Sequence, residues 1–504
     1  MTVSSNARSI PRTIADVFAP VLADDPGREA LVTRSGRWSY AELDRLAARA
    51  AHALRTLGVG RGDRVAGALP NDLDVILAFH GAMRIGAIWV GLNRALAPPE
   101  KRYLLDDSGS SLLLCDDATA QQVAGGDAPR VVVLDDGAGE WYDALAAAPD
   151  APFDADVDPY APAGIAYTSG TTGYPKGAVH SQYNLLLPGA MLVASRGYGA
   201  ALRKGDFLPL TILNMQVLTT LLTAQAGGCS IVFDRSDAAG VAEWIRTERV
   251  NTWNGPPALI HSLAGDAAVV PDDLATLDEV WSGGGDCPEP MRAAFERKFA
   301  KPVLATYGLS EAPTVVSIDP PDGTHVPGGS GRPLPHLAVH VVDDEICLAP
   351  TTTGEWAGVY RPMLGYWQRD DATAETLRGG LVHTGDLGFV DDAGFVHIRD
   401  RKSLVIIRGG GNVYPAEIER VLHERPEIEA CAVVGLPDER LGERVAVAIQ
   451  LREGQTADED ELRAHCLANL AKYKVPERWL FVDGFPRNSM GKIQRRELLA
   501  LFTP

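Results

Sequence analysis

Between an apolar segment, Ala163-Gly-Ile-Ala-Tyr167, and a stretch with helical character after His180 lies the run Tyr167-Thr-Ser-Gly-Thr-Thr-Gly-Tyr-Pro-Lys-Gly177. No other segment constrains the chain as strongly. Gly170, Gly173 and Gly177 let the backbone approach a polyanion closely and turn its N–H groups inward. Thr168, Ser169, Thr171 and Thr172 add hydroxyl donors, and Lys176 adds a mobile positive charge. The chemistry suits the phosphates of a nucleotide. The run is not a Walker loop, because no Gly-Lys-Ser/Thr closes it and opens a helix. By composition alone, a flexible Gly/Thr surface loop is the competing reading.

The sequence around this loop predicts a layered α/β body. Apolar residues at three- and four-residue spacing over positions 41–57 predict an amphipathic helix, with Ser39 as its N-cap and Gly58 ending it. A strand at 64–69, a helix from Asp72 and a strand near 87–91 follow in the rhythm of a parallel sheet. Short Val/Leu/Ile runs recur at 111–115, 130–134, 230–233 and 280–282, with no repeat period. Near residue 325 the texture changes. Gly328–Pro335 is rich in turn residues, and strand-like segments follow at 338–342, 358–361 and 389–399, the last folded about Asp391-Asp-Ala-Gly394. Beyond residue 400, helix patterns at 415–424 and 458–469 alternate with strands at 428–436, 443–451 and 478–482, enough for a small α+β domain. Charged Arg399–Ser403 reads as the linker.

With 504 residues and 46% hydrophobic content, the chain can build two or three domains. A net charge of −19 argues against a nucleic-acid surface while leaving room for a local basic pocket. The six cysteines (115, 229, 287, 347, 431 and 466) form no Cys-x-x-Cys pair, so neither a disulfide framework nor a zinc site is expected. No run reaches the roughly 20 apolar residues of a membrane span, and residues 1–14 lack a signal-peptide core. A soluble cytoplasmic protein is the expectation.

Further motifs fall in register with the loop. They are Trp281-Ser-Gly-Gly-Gly-Asp-Cys-Pro288, Tyr307-Gly-Leu-Ser-Glu311, Thr384-Gly-Asp386, Arg401, Gly409-Gly-Gly-Asn-Val-Tyr-Pro-Ala-Glu-Ile-Glu419 and Pro486-Arg-Asn-Ser-Met-Gly-Lys492. Each alone would pass for an ordinary loop. Together, from about Thr13 to Leu501, they resemble the adenylate-forming superfamily of acyl-CoA synthetases, luciferases and peptide-synthetase adenylation domains. That resemblance implies a large N-terminal domain (1–400) of several α/β layers with a small β-barrel-like subdomain. A hinge (401–403) and a small mobile C-terminal α+β domain (404–504) complete it.

The resemblance also implies residue roles. Thr168, Ser169, Gly170, Thr171, Thr172, Gly173 and Lys176 would hold ATP phosphates, and Gly283, Gly284 and Gly285 would lie against adenine. Tyr307 would stack on adenine beside Gly308, with Ser310 at the α-phosphate. Glu311 and Thr168 would hold Mg²⁺, a hard cation that prefers oxygen ligands. Asp386 would accept both ribose hydroxyls, with Arg401 alongside. Lys492 would cross the domain interface as the catalytic cation of adenylation, with Glu311 and Thr168 as its catalytic companions. Gly409 and Gly410 would let the pantetheine arm of CoA pass. Ser403, after Lys402, occupies the hinge position where the family usually has Lys or Asp.

The implied reaction converts a carboxylic acid and ATP to acyl-AMP and pyrophosphate, then acyl-AMP and CoA to acyl-CoA and AMP. Where relatives carry Pro-Leu-aromatic-His, this chain has Pro209-Leu-Thr-Ile, so Thr211 and Ile212 predict an apolar gate. Ile212, Asn214, Trp253, Asn254 and Trp281 are the candidate acyl-pocket residues. They point to medium-chain, alicyclic or aromatic acids. Transfer to a carrier-protein pantetheine is the alternative, a non-catalytic nucleotide-binding regulator a more distant one, and a homodimer is compatible with the sequence.

Overall fold

The helix Tyr40–Thr56 begins where Ser39 can cap it. The Ser39 hydroxyl accepts from the Glu42 amide, and the Glu42 carboxylate accepts from the Ser39 amide at 2.8 Å. Just past its end, Gly58 adopts a φ of 91°, a conformation that terminates a helix at little cost in glycine. The apolar face packs on the helix Leu73–Ile85, whose N-cap is Asp72 and which is buried from Val75 to Ile85. The computed structural model describes residues 10–125, 129–134, 137–153, 155–168, 175–283, 287–408, 411–438, 441–470, 472–487 and 492–502. No helix among them is long and apolar enough to cross a membrane.

Among the described residues, two large sheets make the body. A seven-stranded sheet centres on the parallel strands Ile88–Gly91, Arg64–Ala68 and Leu112–Cys115, flanked by Pro162–Thr168 and Lys176–Ser181. A nine-stranded sheet runs in parallel through Cys229–Val232, Arg203–Asp206, Thr252–Asn254, Glu279–Ser282 and Val303–Leu309. Most of these strands are buried on both faces, so they read as continuous apolar runs rather than alternating ones. A four-stranded antiparallel sheet (Leu337–Val342, Glu345–Pro350, Val382–Val390 and Val396–Arg401) forms the subdomain after the turn-rich joint. Beyond it lies the small α+β unit. There the antiparallel pair Ile428–Asp438 and Gly442–Leu451 carries the helices Pro415–Leu422 and Glu459–Asn469 on a separate apolar core.

Two expectations need correction. Residues 358–361 are not a strand. The carbonyls of Val359, Arg361 and Pro362 accept side-chain donors from Tyr183 (3.1 Å) and Asn184 (2.6 and 2.9 Å), so no neighbouring strand is needed. The charged 399–403 segment is not a free linker either. Arg399–Arg401 complete the strand Val396–Arg401, with Arg401 opposite Asp386, and a single tight turn Lys402–Leu404 follows. The small unit also touches the body directly, where Arg452 Nη1 lies 3.0 Å from His261 Nε2.

Candidate active site

The site assembles where strands of both large sheets and the antiparallel subdomain end together. Thr168 closes Pro162–Thr168 and pairs with Lys176, which opens the next strand, so the glycine-rich loop hangs from two paired strand ends. The Thr168 hydroxyl reaches the Lys176 carbonyl at 3.4 Å. Ser169, Gly170, Thr171, Thr172 and Gly173 lie outside the described residues, as do Gly284, Gly285, Gly409 and Gly410, and so does the Ser403 side chain.

Glycine is obligatory at two positions that the structure does describe. A Cβ on Gly283 would stand 2.1 Å from Thr306 Oγ1, whose hydroxyl donates to the Ser282 carbonyl at 2.9 Å. A Cβ on Gly308 would meet the Thr314 carbonyl oxygen at 2.0 Å. That oxygen is backbone and cannot yield, so Gly308 sets the close hairpin between Val303–Leu309 and Thr314–Ile318.

The carboxylates sit among organised donors. Asp386 is buried, with Oδ2 accepting the Tyr307 hydroxyl at 2.6 Å and Oδ1 paired with Arg401 Nε at 2.8 Å. Burial, then the Asp386 charge, pushes the Tyr307 phenol well above its usual range. Burial works against the Arg401 charge, but Asp386 and then Glu311 outweigh it and raise its pKa. Glu311 Oε1 accepts the Tyr366 hydroxyl at 2.6 Å. The Tyr366 ring in turn lies 5.2 Å from Lys176 Nζ, which links the glycine-rich loop to Glu311. His180 Nε2 lies 2.6 Å from the Ser310 carbonyl. Burial lowers the His180 pKa to about 4, so the ring is neutral at pH 7 and Nε2–H is the donor.

Lys492 comes to this cluster from the small unit. The residue stays exposed, yet its pKa falls because nearby protein atoms desolvate the ammonium and Arg401 and Arg495 repel it; Asp386 and Asp400 oppose the fall. Groups from four distant parts of the chain thus share one electrostatic neighbourhood.

The proposed acyl-pocket residues separate. Asn214 Nδ2 lies 3.5 Å from Ser310 Oγ, and Ile212 is half-buried beside it. Asn254 donates to Asp206, and Trp281 stands next to Asn254 across the strand pair. Trp253 is not in the site. It points to the opposite face of its strand and fills a core with Val280, Ile260 and Phe295. Thr211 is fixed structurally, since its carbonyl accepts Trp89 Nε1 at 2.9 Å and crowds Gly91.

Several site residues escaped the sequence reading. Glu345 accepts the Gly385 amide at 2.9 Å, contacts His383 Nδ1 at 3.2 Å, and so holds the Thr384-Gly385-Asp386 turn from behind. Glu345, Cys347 and His383 have metal-type donor atoms within 4.8 Å of one another. Arg378 at 3.5 Å and Lys402 at 3.8 Å already neutralise that carboxylate, which suits a positioning role better than a cation site. Tyr366, Lys204 and Asp206 were also missed. The last two carried a signal, two charged residues in a strand buried on both faces.

Comparison with known proteins agrees with this geometry. Residues 18–367 match the family model described as AMP-binding enzyme, and residues 417–492 match the AMP-binding enzyme C-terminal domain. The chain belongs to the AMP-binding enzyme family. It is 32% identical over 477 residues to the long-chain-fatty-acid–CoA ligase FadD13 of Mycobacterium tuberculosis, covering 92% of each chain. It is 33% identical to the fatty acid–[acyl-carrier-protein] ligase ScoC of Streptomyces coeruleorubidus, covering 94% of this chain and 93% of ScoC. The crystal structure of ATP-bound MatB from Rhodopseudomonas palustris superposes with a TM-score of 0.88 at 29% identity, covering 97% and 99% of the two chains.

Proposed function

We propose that the described site performs both half-reactions of an AMP-forming acid–CoA ligase. The observation that carries this is the convergence of Tyr307, Glu311 and Asp386 on Arg401, with Lys492 of the small unit in the field of Arg401 and Asp386. Binding a nucleotide alone would not need that lysine.

A carboxylate is a poor acylating agent because its leaving group would be oxide. Its oxygen attacks the α-phosphorus of ATP, the bond to the bridging oxygen breaks, and pyrophosphate leaves. Negative charge grows on the transferring phosphoryl oxygens and on the departing group. Lys492, Lys176 and the loop hydroxyls stabilise that charge, and pre-set donors act most strongly where water is excluded. Asp386 exchanges its contacts with Tyr307 for the ribose hydroxyls, and Arg401 keeps the carboxylate oriented. Glu311 Oε2, opposite the oxygen held by Tyr366, suits a hard oxygen-seeking cation such as Mg²⁺. That cation would add charge neutralisation at the phosphates. In the second half-reaction a thiolate sulfur attacks the acyl carbon and AMP leaves. The small unit must then move, so that Lys492 withdraws and the 409–410 glycines face the site, a hinge-type exchange about 401–403.

The acid is read as medium-chain, alicyclic or aromatic, because Thr211-Ile212 replaces the aromatic-His pair of the motif the chain resembles. Similarity to ScoC supports a second acceptor, a carrier-protein pantetheine. Pyrophosphate release over a panel of carboxylic acids, with CoA or holo carrier protein, separates the two. Thioester formation with free CoA is the expected result, and thioester on carrier protein alone would replace the CoA reading.

A further inference from the structure

Within the strand Arg203–Asp206, the Lys204 ammonium is completely buried. Lys204 and Asp206 both have 0% exposure, and they share one sheet face with Thr252, Asn254, Glu279 and Trp281. The Asp206 carboxylate is fully engaged. Oδ2 accepts from Thr219 at 2.9 Å and from Asn254, and Oδ1 accepts the Leu208 amide at 3.2 Å. Glu279, on the same face, is held by Arg196 and Tyr198. Lys204 Nζ has no hydrogen-bond partner among the described residues. It rests 4.3 Å from the centroid of the Trp281 ring, and Trp281 Nε1 is likewise buried and unpartnered. A cation–π contact offsets only part of the cost of burying an ammonium. Burial lowers the Lys204 pKa to about 8, against the pull of Asp206, so the group is still charged at neutral pH.

The position of this ammonium relates it to the acid. Asn214 faces Ser310 at the nucleotide end. The chain then runs through the π-helical segment Gln216–Leu221, and Thr219, five residues beyond Asn214, reaches Asp206. Lys204 Nζ lies at the level of Trp281, two residues before Gly283 at the end of the strand Glu279–Ser282. Two strand residues span roughly 7 Å, so the ammonium sits several carbon–carbon bonds below the strand end that carries Gly283. Wide π-helical turns recur at functional sites.

We propose that Lys204 anchors a hydrogen-bond-accepting group at the far end of the acid. The preferred substrate then carries a second oxygen function, carboxylate, keto or hydroxyl, several carbons from the carboxylate that is adenylated. This rests on the acid–CoA ligase reading and departs from the expectation of a wholly apolar acyl channel.

The test is kcat/KM for acid-dependent pyrophosphate release with octanoate, suberate and the ω-hydroxy acid of equal length, in wild type and Lys204→Met. The wild type should favour the difunctional acids by about tenfold or more, the scale of one charge-assisted hydrogen bond. The substitution should erase that ratio. A wild-type preference for octanoate, or a ratio that Lys204→Met leaves unchanged, overturns the anchor while the ligase reading stands. If no acid supports pyrophosphate release, the ligase reading falls and the anchor with it. Should the variant fail to fold, calorimetric titration of wild-type protein with the same acids in the presence of AMP decides, and tighter binding of octanoate than of suberate refutes the proposal.

Discussion

In the proposed site, Asp386 is the carboxylate that would take the ribose diol. With Tyr307 on one oxygen and Arg401 on the other, the group is fixed in plane before any nucleotide arrives. Glu345 secures the same turn through the Gly385 amide. Glu311 is prepared differently, since Tyr366 occupies only Oε1. Glu311→Gln keeps the volume but removes the charge that a cation would use. We expect it to raise the MgCl₂ needed for half-maximal pyrophosphate release on the order of ten- to a hundredfold, with little change in Tm. Titrating MgCl₂ against rate checks this, and an unchanged midpoint would remove Glu311 from the metal site.

At the scale of elements, the strand Arg203–Asp206 departs most from what its neighbours require. Lys204 has a pKa near 8 in the fold against an ordinary value of 10.5, so the folded protein disfavours its charged form. Between those two pH values the unfolded chain binds more protons than the native one, and stability rises with pH through that window. The penalty is fully present below pH 8. Lys204→Met should therefore raise Tm at pH 7, by roughly 1 °C for each kcal/mol recovered in a body of this size. Its advantage should shrink as the pH climbs from 8 towards 10.5. Thermal unfolding of both proteins over that range is the measurement, and a variant less stable at pH 7 would mean that Asp206 needs the lysine more than burial penalises it.

Across the whole molecule, the proposed mechanism depends on where the small unit sits. Here it brings Lys492 to Asp386 and Arg401, and Arg452 to His261. Lys492→Ala should lower the rate of adenylation by about a hundred- to a thousandfold, the scale of losing one stabilising donor. Thioester formation from supplied acyl-AMP should change little, because that step belongs to a different pose. Measuring the two half-reactions separately decides, and an equal loss in both would contradict alternation of the small unit. The pH dependence has a definite sign. Because desolvation and then Arg401 and Arg495 lower the Lys492 pKa, its ammonium is lost at a lower pH than an ordinary lysine's. Adenylation should fall on the alkaline side earlier than an ordinary lysine would dictate, and thioester formation should lack that limb.

Much of this was legible in the chain itself, for a local reason. Caps such as Ser39 and Asp72, and the turn Asp391–Gly394, are set by residues only a few positions apart, so their chemistry is written in order. The nucleotide motifs are likewise short runs, and Tyr307, Glu311, Asp386, Arg401 and Lys492 could each be named from them. What the sequence could not assign was the face on which a residue lies. In a parallel strand buried on both sides, alternation leaves no polar–apolar trace. Trp253 and Asn254 therefore looked equivalent until packing sent one to the helical core and the other to Asp206. The surroundings of Thr211 were hidden for the same reason, since its carbonyl meets Trp89 and Gly91, more than a hundred positions away in the chain. The sequence by itself determined the elements, the family motifs and the chemistry they can perform. The tertiary structure alone decided on which side of its strand each residue lies, because that choice rests on contacts between distant segments.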